Sequence, residues 1–209
     1  MCLFMITLLA VTSQPAGEPD WYPVAPGLFW EYSVGGTQSF GADTSDISGE
    51  MVRNVAGVFQ HEDGFPVSMI VTSATITFTP RSGEAASTSA IQDTFYVCST
   101  DSLVLRYQSL DSHEAFVMMR LPLEVGLTWS FSPSVPTVDR VESLDETVTV
   151  PAGLFTGCAY VHEPFTTPGA EGSYDDFYFA DGTGLVKFVL HMEVEDRTDN
   201  AIFELVETR

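Results

Sequence analysis

Three of the 4 histidines are followed directly by glutamate: His61-Glu62, His113-Glu114 and His162-Glu163. The fourth, His191, stands two residues before Glu193. Imidazole and carboxylate together are the raw material of metal sites and of acid–base pairs. On a strand, however, neighbouring side chains point to opposite faces, so an adjacent His-Glu pair cannot hold one ion. Only His191 and Glu193 can share a face. The chain has no His-Glu-x-x-His and no Cys-x-x-Cys, the spacings that bring zinc ligands together. Exposed or core-rim histidines are expected, with no metal and no cofactor. The acidic run Asp175-Asp176, Asp181-Gly182-Thr183-Gly184 and Asp199 lacks the alternating oxygens of a calcium loop. Asp181-Gly182 reads instead as a hairpin turn between strands 174–180 and 185–194.

Other chemistries find equally little. There is no Gly-x-Ser-x-Gly elbow and no glycine-rich phosphate loop, and a β-rich chain lacks the strand-to-helix turn that a nucleophile elbow needs. Carboxylate pairs for glycoside hydrolysis are defined by distance in space, so the sequence leaves them open. Trp21, Trp30 and Trp129 could stack on a sugar. Trp30 and Trp129 occupy matched places in a repeat, which favours core packing for those two. No catalytic residue is expected.

Charge excludes some partners. The chain carries 29 acidic against 8 basic residues, a formal charge of −21, and Lys187 is its one lysine. Such a surface repels nucleic acid and anionic headgroups. Solubility is the first reading of this charge, followed by life in high salt and by divalent-cation occupancy. With 44% apolar residues and 12% aromatics in 209 residues, the chain can bury a sizeable core.

Residues 1–20 read as a signal-like segment and linker. The apolar run 1–11 is too short to span a bilayer and is followed by small polar residues, as in a signal peptide, although no basic residues precede it. Export to the periplasm or the extracellular space is expected, and no later run is long enough for a membrane helix. Cys2 would leave with the signal. Cys98 and Cys158 then form either a disulfide or two buried thiols.

The elements that must position any site are strands. Val67, Met69 and Val71, then Thr75, Thr77 and Thr79 against Ile76 and Phe78, alternate with period 2. Strands are expected over 50–59, 65–79, 91–98, 103–110 and 114–121, with loops over 35–49 and 80–90. One motif occurs twice. Pro23–Ser33 and Pro122–Ser132 share Pro, Gly, Leu, Trp and Ser at an offset of 99, with an aromatic at Tyr32 and Phe131. Val52–Phe59 matches Val148–Phe155 at 96, and Asp93–Val97 matches Asp175–Phe179 at 82, continuing from Ser102-Leu103-Val104 onto Gly184-Leu185-Val186. Three blocks in one order point to duplication. The expected fold is all-β: a curved antiparallel sheet or half-open barrel, one domain over 21–209, built from halves 21–110 and 121–206. A half that small struggles to close its own core.

Tyr22-Pro23-Val24-Ala25-Pro26-Gly27 with Trp30, Leu121-Pro122-Leu123-Glu124-Val125-Gly126 with Trp129, and Val150-Pro151-Ala152-Gly153-Leu154-Phe155 with Cys158 also carry a resemblance. So does Gly182-Thr183-Gly184-Leu185-Val186-Lys187. With these residues the chain resembles a set of bacterial envelope proteins called TapB-like, over most of 21–206. That resemblance implies export, often as a lipoprotein, and a β-rich fold, but no settled activity. This chain departs from the pattern in having no lipobox before Cys2.

Ala115-Phe116-Val117-Met118-Met119 is apolar on both faces. Such a strand is covered twice or lines a cavity. The expectation is therefore a non-catalytic exported β-domain with a groove near Phe116 and Met118 for an acyl-like or other apolar molecule. The alternative is a structural or protein-interaction component of the envelope without a ligand. A carboxylate hydrolase ranks last.

Overall fold

The computed structural model describes residues 18–132, 137–166 and 168–209. The signal-like run and Cys2 lie outside the described residues. Twelve strands follow in order: β1 Phe29–Phe40, β2 Asp43–Gln60, β3 Pro66–Pro80, β4 Ser87–Ser99, β5 Leu103–Tyr107 and β6 Phe116–Arg120, then β7 Thr128–Trp129, β8 Asp139–Val150, β9 Gly153–Pro164, β10 Tyr174–Ala180, β11 Gly184–Val194 and β12 Arg197–Thr208. No described residue is helical.

Successive strands pair antiparallel except β6 with β7, and β12 returns to pair with β1 from Trp30↔Thr208 to Phe40↔Arg197. The sheet therefore runs β6-β5-β4-β3-β2-β1-β12-β11-β10-β9-β8-β7. Its two edges, β6 and β7, meet where the Val117 N–H donates to the Phe131 carbonyl at 2.9 Å. The result is a nearly closed up-and-down barrel, which leaves almost no strand edge open.

Period-2 alternation puts Trp30, Tyr32 and Val34 of β1, Ile70, Thr72 and Ala74 of β3, and Phe95 and Val97 of β4 inside, all buried. The core concentrates at one end of the barrel. There the segment 18–28 lies across the mouth. The Gly182 N–H donates to the Asp20 carbonyl at 2.9 Å, the Ser68 hydroxyl to the Val24 carbonyl at 2.8 Å, and the Gly27 N–H to the Val55 carbonyl at 2.9 Å. From the β8–β9 turn, the Ala152 N–H donates to the Leu205 carbonyl at 2.9 Å. These contacts fold the end shut over Val186, Leu205 and Cys158, each fully buried.

The matched tryptophan motifs make the same bonds. The N–H groups of Gly27 and Gly126 donate to the carbonyls of Val55 and Val141, and the N–H groups of Val55 and Val141 donate to the carbonyls of Leu28 and Leu127, all at 2.8–3.0 Å. Gly27 and Gly126 have φ of +90° and +86°, a region open to glycine at little cost. Trp30 and Trp129 both face inward, on β1 and β7. The 82-offset block falls on β4 and β10, six strands apart like β1 and β7.

Three expectations are corrected. Residues 35–49 do not form a loop: they complete β1 and begin β2 around a two-residue turn. Glycine, serine and aspartate suggested a loop, but a long hairpin within the sheet tolerates them because both neighbours supply ladder bonds. The loop expected at 80–90 shrinks to 81–86, because β4 begins at Ser87. The 96-offset block is not equivalent in space. Val52–Phe59 stays within β2, whereas Val148–Phe155 turns the corner from β8 into β9, and the residue that answers Val55 is Val141. Both Cys98 and Cys158 are free thiols. They sit on β4 and β9, which do not pair, so the disulfide alternative falls; of the two thiols Cys158 is buried and Cys98 half-buried.

Candidate functional site

Below the packed end the barrel does not fill. A cavity of about 370 Å³ lies between β2, β6–β7 and β8–β12. Its walls are mainly aromatic: Trp129, Phe131, Phe177, Phe179, Phe188 and Phe203. Alternation explains this lining, since Phe177 and Phe179 are two apart on β10 and Phe188 pairs with both Phe177 and Phe203 across the ladder. Phe177 and Phe188 stack at 5.0 Å, and Phe188 and Phe203 lie 5.2 Å apart.

Of the two residues singled out in sequence, Met118 lines the cavity and accepts a long hydrogen bond from the Tyr22 hydroxyl on its sulfur at 3.8 Å. Phe116 stands one layer back, stacked at 4.9 Å on Phe131.

Sequence reading missed the polar wall. Asp139 of β8 and Glu163 of β9 line the cavity together, and Asp175 of β10 pairs directly with Glu163. None of the three has an ion-pair partner among the described residues. Burial, then the charges of Glu163 and Asp175, push the Asp139 carboxyl up to about 8. Burial, then Glu163 and Asp176, push Asp175 up to about 7. Among the described residues, one buried Asp175 oxygen has no hydrogen-bond partner, and neither has the Trp129 indole nitrogen. A sequence signal existed for Asp175, which stands two and four residues before Phe177 and Phe179 and therefore faces the same way. On the far wall Arg53 of β2 lines the cavity, with its guanidinium 5.9 Å from the Phe95 ring centre.

The His-Glu pairs divide between faces. Glu163 points inward. His162 lies outside with its Nδ1 2.7 Å from Asp176 Oδ1, to which the Tyr160 hydroxyl also donates at 2.9 Å. His191 and Glu193 do share a face, with Nε2 and Oε1 3.1 Å apart. His61 is a core residue, stacked at 4.4 Å on Phe65 with Nε2 3.0 Å from the Ser112 carbonyl oxygen. His113 is exposed. Asp181 sits in the β10–β11 turn, where its carboxylate accepts from the Asp20 N–H at 2.7 Å. No three metal-binding side chains converge among the described residues. No described helix is long and apolar enough to cross a membrane.

No family model matches the chain, and no curated protein matches it. Two solved structures are similar in shape. One is a candidate exported protein with a YmcC-like fold from Bacteroides fragilis, at 12% identity and a TM-score of 0.49, covering 91% of this chain and 99% of that one. The other is a candidate lipoprotein from Parabacteroides distasonis, at 12% identity and a TM-score of 0.45, covering 92% and 99%.

Proposed function

We propose that this is a non-catalytic, exported binding protein whose barrel holds one apolar molecule. The observation that carries the reading is the aromatic cavity of about 370 Å³, within the range of small-molecule sites. A barrel with no guest can fill its lumen with side chains, as this one does at its packed end. The lining beside the cavity includes Met51 and Met118, side chains that adapt to varied shapes. Asp139 and Glu163 stand side by side on one wall, whereas glycoside hydrolysis sets two carboxyls on either side of the bond it breaks. The resemblance to TapB-like envelope proteins agrees with export, and the acidic exterior keeps such a carrier off anionic headgroups.

The test is native mass spectrometry of protein purified without detergent, followed by titration with the neutral dye Nile red. One-to-one saturable binding is expected, and Met118→Trp, which fills the cavity, is expected to weaken it at least tenfold. No saturable binding, or equal binding by a folded Met118→Trp protein, leaves the structural envelope component as the answer.

A further inference from the structure

The two halves treat one motif differently. In β4, Asp93 and the buried Phe95 share a face and receive Arg106 from β5: its Nη2 donates to Asp93 Oδ2 at 2.9 Å, and its guanidinium lies 4.3 Å from the Phe95 ring centre. The same block in β10 gives Asp175 and Phe177. At the same offset of 82 in sequence, Phe188 answers Arg106; in the ladders Arg106 faces Val97, whereas Phe188 faces Phe177 and stacks on it at 5.0 Å. The second half thus keeps the aspartate and the ring but lacks the cation. It also adds Glu163 and Asp139 beside them. Where the first half seats a guanidinium, the second has an aromatic cavity.

We propose that the occupant of this cavity is an organic cation: an apolar molecule whose protonated amine sits against Asp139, Glu163 and Asp175. This rests on the carrier reading above and names the ligand class. Two kinds of wall favour it. Carboxylates attract an ammonium directly, and the ring faces around them attract it through their quadrupoles. Trp129 adds an independent sign. It is 6% exposed, lines the cavity beside Asp139, and its indole nitrogen has no hydrogen-bond partner among the described residues. A buried polar group without a partner is uncommon in a finished core; as a donor it calls for an acceptor atom on the ligand in addition to the amine, and so does Arg53 Nε on the far wall, also buried without a partner among the described residues.

The charged and titratable groups facing Asp139 are Glu163 from β9 and Asp175 from β10, with Arg53 from β2 and Tyr22 from the N-terminal segment across the cavity. The other lining strands contribute apolar side chains. Asp139 and Asp175 hold protons near neutral pH. An arriving ammonium favours their charged forms, so binding must release protons to solvent.

The experiment titrates the intact protein at pH 7 with phenylbutylamine, phenylbutanol and phenylbutyrate by calorimetry, in buffers of different ionisation enthalpy. The amine is expected to bind at least tenfold more tightly than the alcohol and to release protons, and the alcohol to release none. Glu163→Gln and Asp139→Asn are each expected to reduce the preference for amine over alcohol about tenfold. If alcohol or carboxylate binds as well as the amine, or the variants weaken alcohol and amine alike, the cation inference fails while the carrier reading survives. Preference for phenylbutyrate, lost in Arg53→Met, moves the polar recognition to the far wall and overturns the inference. Binding of none of the three ends both readings.

Discussion

Asp139 is 6% exposed and shares its wall with two other carboxyls, so its protonation is tied to stability. Its folded value of about 8 lies above the ordinary 3.8. Between those two values the folded state holds a proton that the unfolded state has lost. Stability must therefore fall as pH rises through this window and level off above it. Asp175 acts the same way up to about 7. Asp139→Asn keeps the shape and removes the charge. It is expected to raise stability at pH 8 by about 1–3 kcal/mol, and to flatten the decline in melting temperature between pH 5 and pH 8. Thermal melts across that range check this, and an unchanged slope would show that Asp139 is not the group responsible. Arg53 on the far wall is half-buried, with its guanidinium 5.9 Å from the Phe95 ring centre and its Nε without a hydrogen-bond partner among the described residues.

At the scale of the element, the tryptophan strands depend on their glycine turns. Gly27 and Gly126 have φ near +90°, and an added Cβ would meet nothing within 4 Å. The cost of alanine there is backbone strain alone. Gly27→Ala and Gly126→Ala should each destabilise by about 1–2 kcal/mol, by nearly equal amounts if the turns are equivalent. Denaturant titration measures both, and a markedly unequal pair would undo the equivalence. These turns were legible in the sequence because everything that defines them, glycine, leucine and tryptophan, lies within a few residues. The cavity's acid wall was not. It joins three successive strands whose facing residues depend on register, and β8 meets β9 through three register shifts, each of which resets which residues face inward. Alternation read along β8 alone loses its phase there. The β1–β2 arm was missed for a different reason: its glycines and serines describe a loop unless the pairing partners are known.

For the whole molecule, the all-β class followed from period 2, and a half-open barrel followed from the size of each half. Closure through β1 and β12 did not, because nothing local in Trp30–Phe40 names Arg197–Thr208 as its partner. The matched bonds of Gly27 and Gly126 lie six strands apart, as do Asp93 and Asp175, while the block at offset 96 does not match in space; beside Asp93 lies Arg106, and near Asp175 lies the cavity. Filling that space from the protein side is a direct check. Phe188→Arg places a cation opposite Phe177, two residues from Asp175 along β10, and is expected to seat its guanidinium on Asp175, lower the Asp175 titration and abolish amine binding. Carbon-13 NMR of the labelled aspartates reads the titration, and an Asp175 signal that still titrates near 7 would refute that seating.

The pairing of β1 with β12 also sets an order in time. Each hairpin along the meander can form as soon as its two strands exist, but the ring joins residues as distant as Trp30 and Thr208. Until β12 is made, β1 and β11 are bare edges, ready to pair with another chain. Contacts so remote in sequence slow folding to milliseconds or longer. The nascent protein thus passes through a long interval as an open, sticky ribbon, in which its strong negative charge serves a purpose the finished barrel hardly needs: ribbons that repel one another have time to close on themselves. A chain ending at residue 196, before Arg197, is expected to stay in that interval and to form oligomers when the ionic strength is raised, while the full chain stays monomeric under the same salt. Light scattering distinguishes the two.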